Sequence, residues 1–198
     1  FGTPPFYAFQ DMRGALRRAQ SGGTLSLREL MDIAGVLRQI QALSDWYEHG
    51  TGLVKHLEEW FSQLTPLPYL LEKLDRSILS EEELADSASS TLAAIRRKKN
   101  QAQQKLRDTL DSMVRKKSIQ DCLQDNRVTL RDGRFVLPVK AEHRGAVPGL
   151  VHDTSATGQT LFVEPMSVVE ANNDIRVLER KEQEEIERII AELCAECG

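Results

Sequence analysis

The chain has 198 residues, of which 40% are hydrophobic, 28% charged and only 6% aromatic, and its formal net charge is −4 at pH 7. A chain of this length can form one large domain or two small ones with a buried core. No apolar run approaches the roughly 18 residues of a membrane helix and no signal peptide is visible, so we expect a helix-rich cytoplasmic protein without a membrane partner. Because the first residue is Phe1 and not Met, we also expect a fragment of a longer protein.

Residues 1–88 predict a compact helical core. Asp11 is expected to cap the first helix. Ser26 and Glu29 form a capping box, in which each residue satisfies a backbone donor near the other. The helix that follows carries apolar residues at three- and four-residue steps until Gly50.

A third, short helix is predicted over residues 53–64. Pro66 and Pro68 are expected to end it, because proline lacks the backbone donor that a helix interior needs. We interpret the large aromatic residues of this region as core and its histidines as surface residues: Trp46, Trp60 and Phe61 in the first group, His49 and His56 in the second.

Two long polar helices are predicted in the segments 89–117 and 165–198. Their apolar positions alternate steps of three and four, the heptad pattern of a coiled coil: Leu92, Ile95, Lys99, Ala102, Leu106, Thr109 and Met113 in the first, Val168, Ile175, Leu178, Ile186, Ile189 and Leu193 in the second. Helices this polar cannot lie inside a globule. The two narrow stripes therefore predict an antiparallel stalk, each helix roughly 40 Å long or more at 1.5 Å per residue.

The chain has three cysteines, an odd number that favours a reducing compartment over a disulfide scaffold. Cys194 and Cys197 have CxxC spacing, but the sequence offers no second pair of ligands. We interpret them as two thiols at a helix end and expect no metal site and no cofactor in this chain.

Residues 118–164 carry strand signals and predict a small antiparallel β unit. The run VTLRDGRFVLPVK contains two β-rich stretches joined by Asp132 and Gly133, a strong signal for a hairpin turn. Pro138 removes a backbone donor and favours an edge position. Thus the predicted fold class is mostly α with a small antiparallel β unit: a helical bundle, a long antiparallel stalk and a β clamp at its tip.

The segment GLVHDTSATGQTLFVEP contains His152, Asp153 and Ser155, the residue types of a serine-hydrolase triad. Successive side chains of a strand point to opposite faces, so His152 and Asp153 are expected to diverge. Ser155 falls in the turn and lacks the G-x-S-x-G elbow that exposes a nucleophile. We interpret the segment as a second hairpin without catalytic residues, whose hydroxyl groups form the turn and can donate to a backbone phosphate.

Several long motifs resemble the bacterial MutS-like proteins of the second paralogue type, which carry a C-terminal Smr domain. The motifs are GRFVLPVKAEHRG, GLVHDTSATGQTLFVEP and NNDIRVLERKEQEEIERI, with DMRGALRRAQSGGTLSLREL and DSASSTLAAIR upstream. The resemblance covers essentially the whole chain. It implies that residues 1–88 are the helical core known as domain III, that 89–117 and 165–198 are the lever, and that 118–164 form the clamp.

The resemblance also implies a function for the longer protein. Such proteins are ATPases whose homodimers bind branched or duplex DNA, restrain recombination, and are linked to the rescue of stalled ribosomes. The phosphate loop G-x-x-x-x-G-K-[ST] is absent from this sequence, so ATP and Mg²⁺ are expected in an ATPase domain outside it, and nuclease activity in the Smr domain. This region is therefore expected to be non-catalytic.

Charge is distributed unevenly along the sequence. Residues 96–117 contain nine basic and two acidic residues, whereas residues 170–198 contain nine acidic and four basic ones. We expect the acidic helix to neutralise the basic residues Arg96, Arg97, Lys98, Lys99 and Lys105 across the stalk. Fewer acids accompany the basic residues predicted to contact nucleic acid at the tip: Arg115, Lys116, Lys117, Arg127, Arg131, Arg134, Lys140 and Arg144.

Two functions from different classes remain open. One is a nucleic-acid clamp that holds phosphate backbone without reading bases, because Phe135 and Phe162 fall in apolar runs and are expected to form a small core instead of a stacking platform. The other is a structural lever that contacts protein partners and no nucleic acid. DNA and ribosomal RNA both present phosphates, so the sequence does not choose between them.

Overall fold

In the computed structural model the described residues are 3–50 and 58–198, and they form a mostly α-helical chain with a small four-stranded antiparallel sheet, as predicted. The helices are α1 Arg13–Gln20, α2 Leu27–His49, α3 Glu58–Phe61, α4 Pro68–Ser77, α5 Ser90–Val114, α6 Lys117–Gln120 and α7 Val169–Cys197. The strands are β1 Thr129–Arg131, β2 Arg134–Lys140, β3 Gly149–Thr154 and β4 Thr160–Pro165. Short 3-10 turns cover Asp86–Ala88, Ala141–His143 and Met166–Val168.

The chain divides into two compact units. The helical unit comprises Phe1–Ala93 and Glu184–Gly198, and the sheet unit comprises Ala94–Gln183. Each has its own buried cluster of apolar side chains.

The core of the helical unit is built on α2. Its capping box is present: the Ser26 side chain accepts from the Glu29 backbone, and the Glu29 side chain accepts from the Ser26 backbone. The apolar stripe predicted for α2 is its buried face, with Ile40 only half-buried and five residues buried: Leu30, Ile33, Ala34, Leu37 and Leu43. The core is completed by α1, α4, the start of α5 and the end of α7, whose contributions include Ala15, Ala19, Leu74, Leu92, Ile189 and Leu193.

Three predictions for this unit need correction. The N-cap of α1 is Met12, and Asp11 instead accepts a hydrogen bond from the Arg13 backbone. Pro68 begins α4 where we had expected only a helix end, because proline fits the first turn, where the missing donor would be unpaired in any case.

The third concerns the aromatic residues near the predicted third helix. Only the α3 part of the predicted helix 53–64 is described, and residues 51–57, including His56, lie outside the described residues. Trp60 is 69% exposed and is therefore not a core residue. Trp46 and Tyr47 are half-buried and pack against the ring of Phe61. His49 is exposed, as predicted.

The sheet has the strand order β1-β2-β4-β3, with every neighbouring pair antiparallel. The predicted turn joins β1 to β2: Asp132 and Gly133 both have positive φ angles, 49° and 71°, as a type I′ hairpin requires. The edge position predicted for Pro138 is wrong, because β2 lies inside the sheet. The proline is tolerated since it lies beyond the end of β1, and its carbonyl faces Gln124, from which it accepts a hydrogen bond.

Within the sheet unit, α5 and α7 are antiparallel. Glu182, late in α7, contacts Arg96 and Lys99, early in α5, whereas Ile175, nearer the start of α7, packs with Leu106 and Leu110. This confirms the expected neutralisation for Arg96 and Lys99. It is wrong for Lys98 and Lys105, which are exposed and have no ion pair within the described residues, because they lie on another side of the helix. The apolar seam shifts by one residue from the prediction: Thr109 is exposed and Leu110 is fully buried, because leucine gains more from burial than threonine.

Candidate nucleic-acid interface

A buried carboxylate organises the sheet unit. Glu164, on β4, has 0% exposure. One of its oxygens accepts hydrogen bonds from Arg134 Nη1 at 2.7 Å and from Asn172 Nδ2 at 2.9 Å. The other lies 2.5 Å from His152 Nε2. Burial of a carboxylate is tolerated only when its oxygens are paired in this way.

An irregularity in β3 brings His152 to Glu164. Val151 pairs with Val163 and Asp153 with Phe162, so His152 is the additional residue of a β-bulge. A bulge breaks the strict alternation of side chains along a strand and redirects the residue that it contains. Hence His152 faces Glu164 although the sequence gives no sign of the contact.

The same network ties the sheet to the start of α7. Asn172 is buried, donates to the Phe135 carbonyl at 3.2 Å, and accepts from the Phe135 amide at 3.0 Å. Next to it, Asn173 accepts from Arg134 Nη2 at 2.6 Å. These contacts fix the position of β2 against α7 within the sheet unit.

Glu164 stays ionised within this network. Burial by itself raises the pKa of its carboxyl, but hydrogen bonds from His152, Arg134 and Asn172 outweigh burial and hold the pKa below its ordinary value. The carboxyl of Glu182 follows the same balance: burial raises its pKa, and Lys99 and Arg96 lower it below the usual value. The sheet unit therefore holds two paired, ionised carboxylates away from water.

Three of the eight predicted contact residues are engaged inside the unit. Arg134 binds Glu164 and Asn173, as above. Arg131 lies 4.0 Å above the centre of the Phe162 ring, and its Nε is 3.3 Å from Asp153 Oδ2. Lys140 Nζ donates to the Asp121 carbonyl at 3.2 Å. These three basic residues, which we predicted to contact nucleic acid, therefore interact with partners inside the sheet unit.

The other five are exposed. Arg127 has a carboxylate oxygen of Asp125 at 4.0 Å. Four have no ion pair within the described part of the chain: Arg115, Lys116, Lys117 and Arg144. Contacts from Lys140 to the carbonyls of Asp121 and Cys122 hold the end of β2 against the segment that follows α6. Lys117 in α6 and Arg144 just after β2 therefore belong to the same end of the sheet unit.

The prediction that Phe135 and Phe162 form a small core is confirmed only for Phe135. Phe135 is buried in the apolar cluster of the sheet unit, while Phe162 is half-buried under the Arg131 guanidinium. A base cannot stack on the face of Phe162 that the guanidinium occupies.

His152, Asp153 and Ser155 bind different partners. His152 contacts Glu164, Asp153 accepts from the Thr154 amide and pairs with Arg131, and Ser155 Oγ accepts from the Thr160 amide at 3.1 Å. The serine hydroxyl shapes the β3–β4 turn, as expected. The described residues contain no group of three or more potential metal ligands, and none of their helices is both long and apolar enough to cross a membrane.

Sequence reasoning missed the Glu164 network altogether. The available signal was a glutamate inside the apolar run TLFVEP, at a position that pairs with an interior strand. Such a residue needs buried partners, but the partners come from β2, from the bulge in β3 and from α7. Only the fold brings them together.

Comparison with curated proteins shows extensive similarity along the chain. It is 46% identical over 197 residues to a protein named Endonuclease MutS2 from Ruminiclostridium cellulolyticum. It is 43% and 40% identical to proteins of the same name from Acetivibrio thermocellus and Lachnospira eligens. These alignments cover 97%, 98% and 100% of the chain, but only 24%, 25% and 25% of the relatives. The chain thus spans about a quarter of their length. No family model matches it.

Proposed function

Since this chain belongs to the MutS-like proteins of the second paralogue type, as one region of them, we propose that its sheet unit contacts the phosphate backbone of a nucleic acid. The contact residues are the exposed cations at one end of the unit, Arg115, Lys116, Lys117 and Arg144, with Arg127 beside them. In the longer protein this contact serves as a clamp on branched or duplex DNA or on ribosomal RNA, in recombination control or ribosome rescue. ATP hydrolysis and dimerisation belong to other domains.

The observation that carries this proposal is the separation of paired from unpaired cations. Arg96, Lys99, Arg131 and Arg134 have carboxylate partners within the sheet unit. The cations at the other end of α5 and after β2 face water without such a partner in the described residues. Lysine and arginine in that state bind backbone phosphate and release its counterions on binding.

The paired residues hold the proposed contact surface in place. Arg134 and Glu164 hold β2, β4 and α7 together, so that the exposed cations project from a fixed frame. A side chain that touches only phosphate carries no sequence information. Binding is accordingly expected to follow the charge and shape of the nucleic acid and not its base sequence.

The test is a triple charge reversal, Arg115→Glu, Lys117→Glu and Arg144→Glu, compared with the parent chain on a branched DNA, a duplex DNA and a ribosomal RNA fragment. We expect affinity to fall by at least tenfold on whichever of these the parent binds, and the salt dependence to weaken by about 0.9 per lost phosphate contact. Fluorescence anisotropy between 50 and 200 mM salt measures both.

A matched control carries the same change in net charge elsewhere. Arg17→Glu, Arg180→Glu and Lys181→Glu alter three exposed cations on α1 and α7. If this control loses as much affinity as the tip variant, binding depends on net charge alone and the proposed contact surface is wrong.

One observation favours the alternative, a lever that contacts protein partners. In the helical unit the segment before α1 exposes three aromatic side chains, Phe6 at 68%, Tyr7 at 71% and Phe9 at 67%. Tyr7 and Phe9 line a groove of about 660 Å³ along α2, and exposed apolar patches of this kind mark interaction surfaces. Concentration-dependent light scattering that Phe6→Ser with Phe9→Ser abolishes would favour this function, whereas a monomeric parent would not.

A further inference from the structure

Helix α5 and the segment after it carry a second line of cations that the internal ion pairs leave out, and this line meets the contact residues proposed above at Lys116. Lys98, Lys105 and Lys116 are exposed and have no ion pair within the described part of the chain. Gln101, Thr109 and Ser112, also exposed, lie between them at steps of three and four residues, so all six share one side of the helix and of the segment that follows it. We call this set the basic stripe.

The stripe is distinct from the side of α5 that faces α7. That side carries Arg96 and Lys99, which contact Glu182, and the buried Leu106. Lys98 and Lys105 each precede a residue of that side by one position, which places them about 100° round the helix. Glu182 contacts both of its partners on that side, so its charge is not directed at the stripe.

A shallow groove lies along the C-terminal part of the stripe, from Lys105 to Lys116. Its volume is about 580 Å³, and Lys105 and Lys116 line it together with hydroxyl groups of Thr109, Ser112 and Ser167. Ser167 belongs to the 3-10 turn before α7, so the groove is formed by two elements of the sheet unit. Thr109 donates its hydroxyl hydrogen to the Lys105 carbonyl and Ser167 donates its own to Met113 Sδ. The donors left for a backbone phosphate in this groove are therefore the two ammonium groups and the Ser112 hydroxyl.

The acidic side chain in this groove does not cancel its cations. Asp108 also lines the groove, and its carboxylate accepts a hydrogen bond from Gln104 at 2.8 Å. One carboxylate stands against Lys105 and Lys116, which leaves the groove positive. The lysines of the helix are spaced along its axis, with Lys98 and Lys105 roughly 10 Å apart.

We propose that the basic stripe is a second contact for nucleic acid, and that it binds the phosphates of a double-stranded segment running along α5. The chain from Ser90 to Lys116 contains no aromatic residue, whereas sites for single strands stack bases on aromatic rings. A double strand offers phosphates at a rigid spacing and needs no stacking surface. This inference rests on the proposed function and extends it from the end of the sheet unit to the length of a helix.

The experiment compares the parent chain with Lys98→Glu and Lys105→Glu combined, two residues that the tip variant leaves unchanged. The probes are 30-base-pair duplex DNA, duplex RNA of the same sequence, and the single DNA strand. We expect duplex affinity to fall at least fivefold and the salt slope to fall by about 2, since each phosphate contact contributes about 0.9. The duplex that shows the larger loss identifies which phosphates the stripe prefers, those of DNA or those of RNA.

Arg180→Glu with Lys181→Glu is the control, because it makes the same charge change on α7. If the stripe variant binds duplexes like this control while the tip variant has lost binding, the stripe is not a contact and the proposed function stands. If the parent prefers the single strand, the double-stranded assignment is wrong. If the parent binds none of the probes, both proposals are wrong. Circular dichroism that matches the parent confirms that each variant is folded.

Discussion

Glu164 shows how much a single residue can decide in this chain. It is fully buried, yet it remains charged because Arg134, His152 and Asn172 supply its hydrogen bonds. Three separate elements meet at this carboxylate, so losing its charge removes a link between them. The arrangement holds the sheet against α7 within its unit.

Replacing Glu164 by Gln is expected to lower the stability of the sheet unit by about 3 kcal/mol. The reason is that Arg134 then loses its ionic partner in a largely buried place. Hydrogen exchange of the β2 and β4 amides measures the effect, since it reports stability element by element.

The matched substitution Glu142→Gln removes the same charge from a side chain that is 76% exposed. It is expected to change stability by less than about 0.5 kcal/mol. Equal effects of the two substitutions would mean that burial of Glu164 contributes nothing.

At the scale of elements, the β3–β4 hairpin depends on a close approach between two backbones. Gly149 lies at the start of β3, opposite Pro165. A Cβ atom at Gly149 would stand 2.1 Å from the Glu164 carbonyl oxygen, much closer than any non-bonded contact allows. The strand must therefore begin with a residue that has no side chain.

Gly149→Ala is expected to cost on the order of 2 kcal/mol, because the two backbones must move apart and disturb the pairing next to Glu164. Exchange protection of the β3 and β4 amides should fall. Gly145→Ala is the control, since a Cβ there meets nothing within 4 Å; it should be neutral or slightly stabilising. Unchanged protection in the Gly149 variant would contradict the close approach.

Some structural elements could be predicted from the sequence and others could not. The capping box of α2, the Asp132-Gly133 turn and the two long amphipathic helices were predicted because each depends on residues a few positions apart. Pro68 was misinterpreted because proline serves equally at a helix start and after a helix end. The bulge at His152 has no local signature, since it arises from how β3 pairs with β4.

For the whole molecule, the negative net charge does not reveal that paired carboxylates and exposed cations lie in different places. Several carboxylates are paired in the folded chain and have a lowered pKa, among them Glu29, Glu164, Glu182, Glu185 and Glu192. The cations proposed to bind phosphate lie apart from them. Overall charge therefore predicts neither the stability nor the binding of this chain.

Acid stability follows from the paired carboxylates. Their pKa values are lower in the folded chain than the ordinary 4.5, so the unfolded chain takes up protons first as pH falls. Their contribution to stability is present above pH 4.5 and is lost as pH drops through the folded values. Urea unfolding should show a flat midpoint from pH 7 to 5 and a decline below 4.5, which is smaller in the Glu164→Gln variant. A decline that starts near pH 6 would contradict this assignment.

Periodicity and short motifs were enough to predict the mostly helical fold class, the two hairpins, the stripe that forms the α2 core and the family resemblance. Which charges are paired depends on the folded arrangement of the chain. It placed Glu164 among partners from three elements, turned Arg134 inward, and left Lys98 and Lys105 in water. The physical reason is that the state of a charge depends on its neighbours in space, and residues far apart in the chain become neighbours only when it folds.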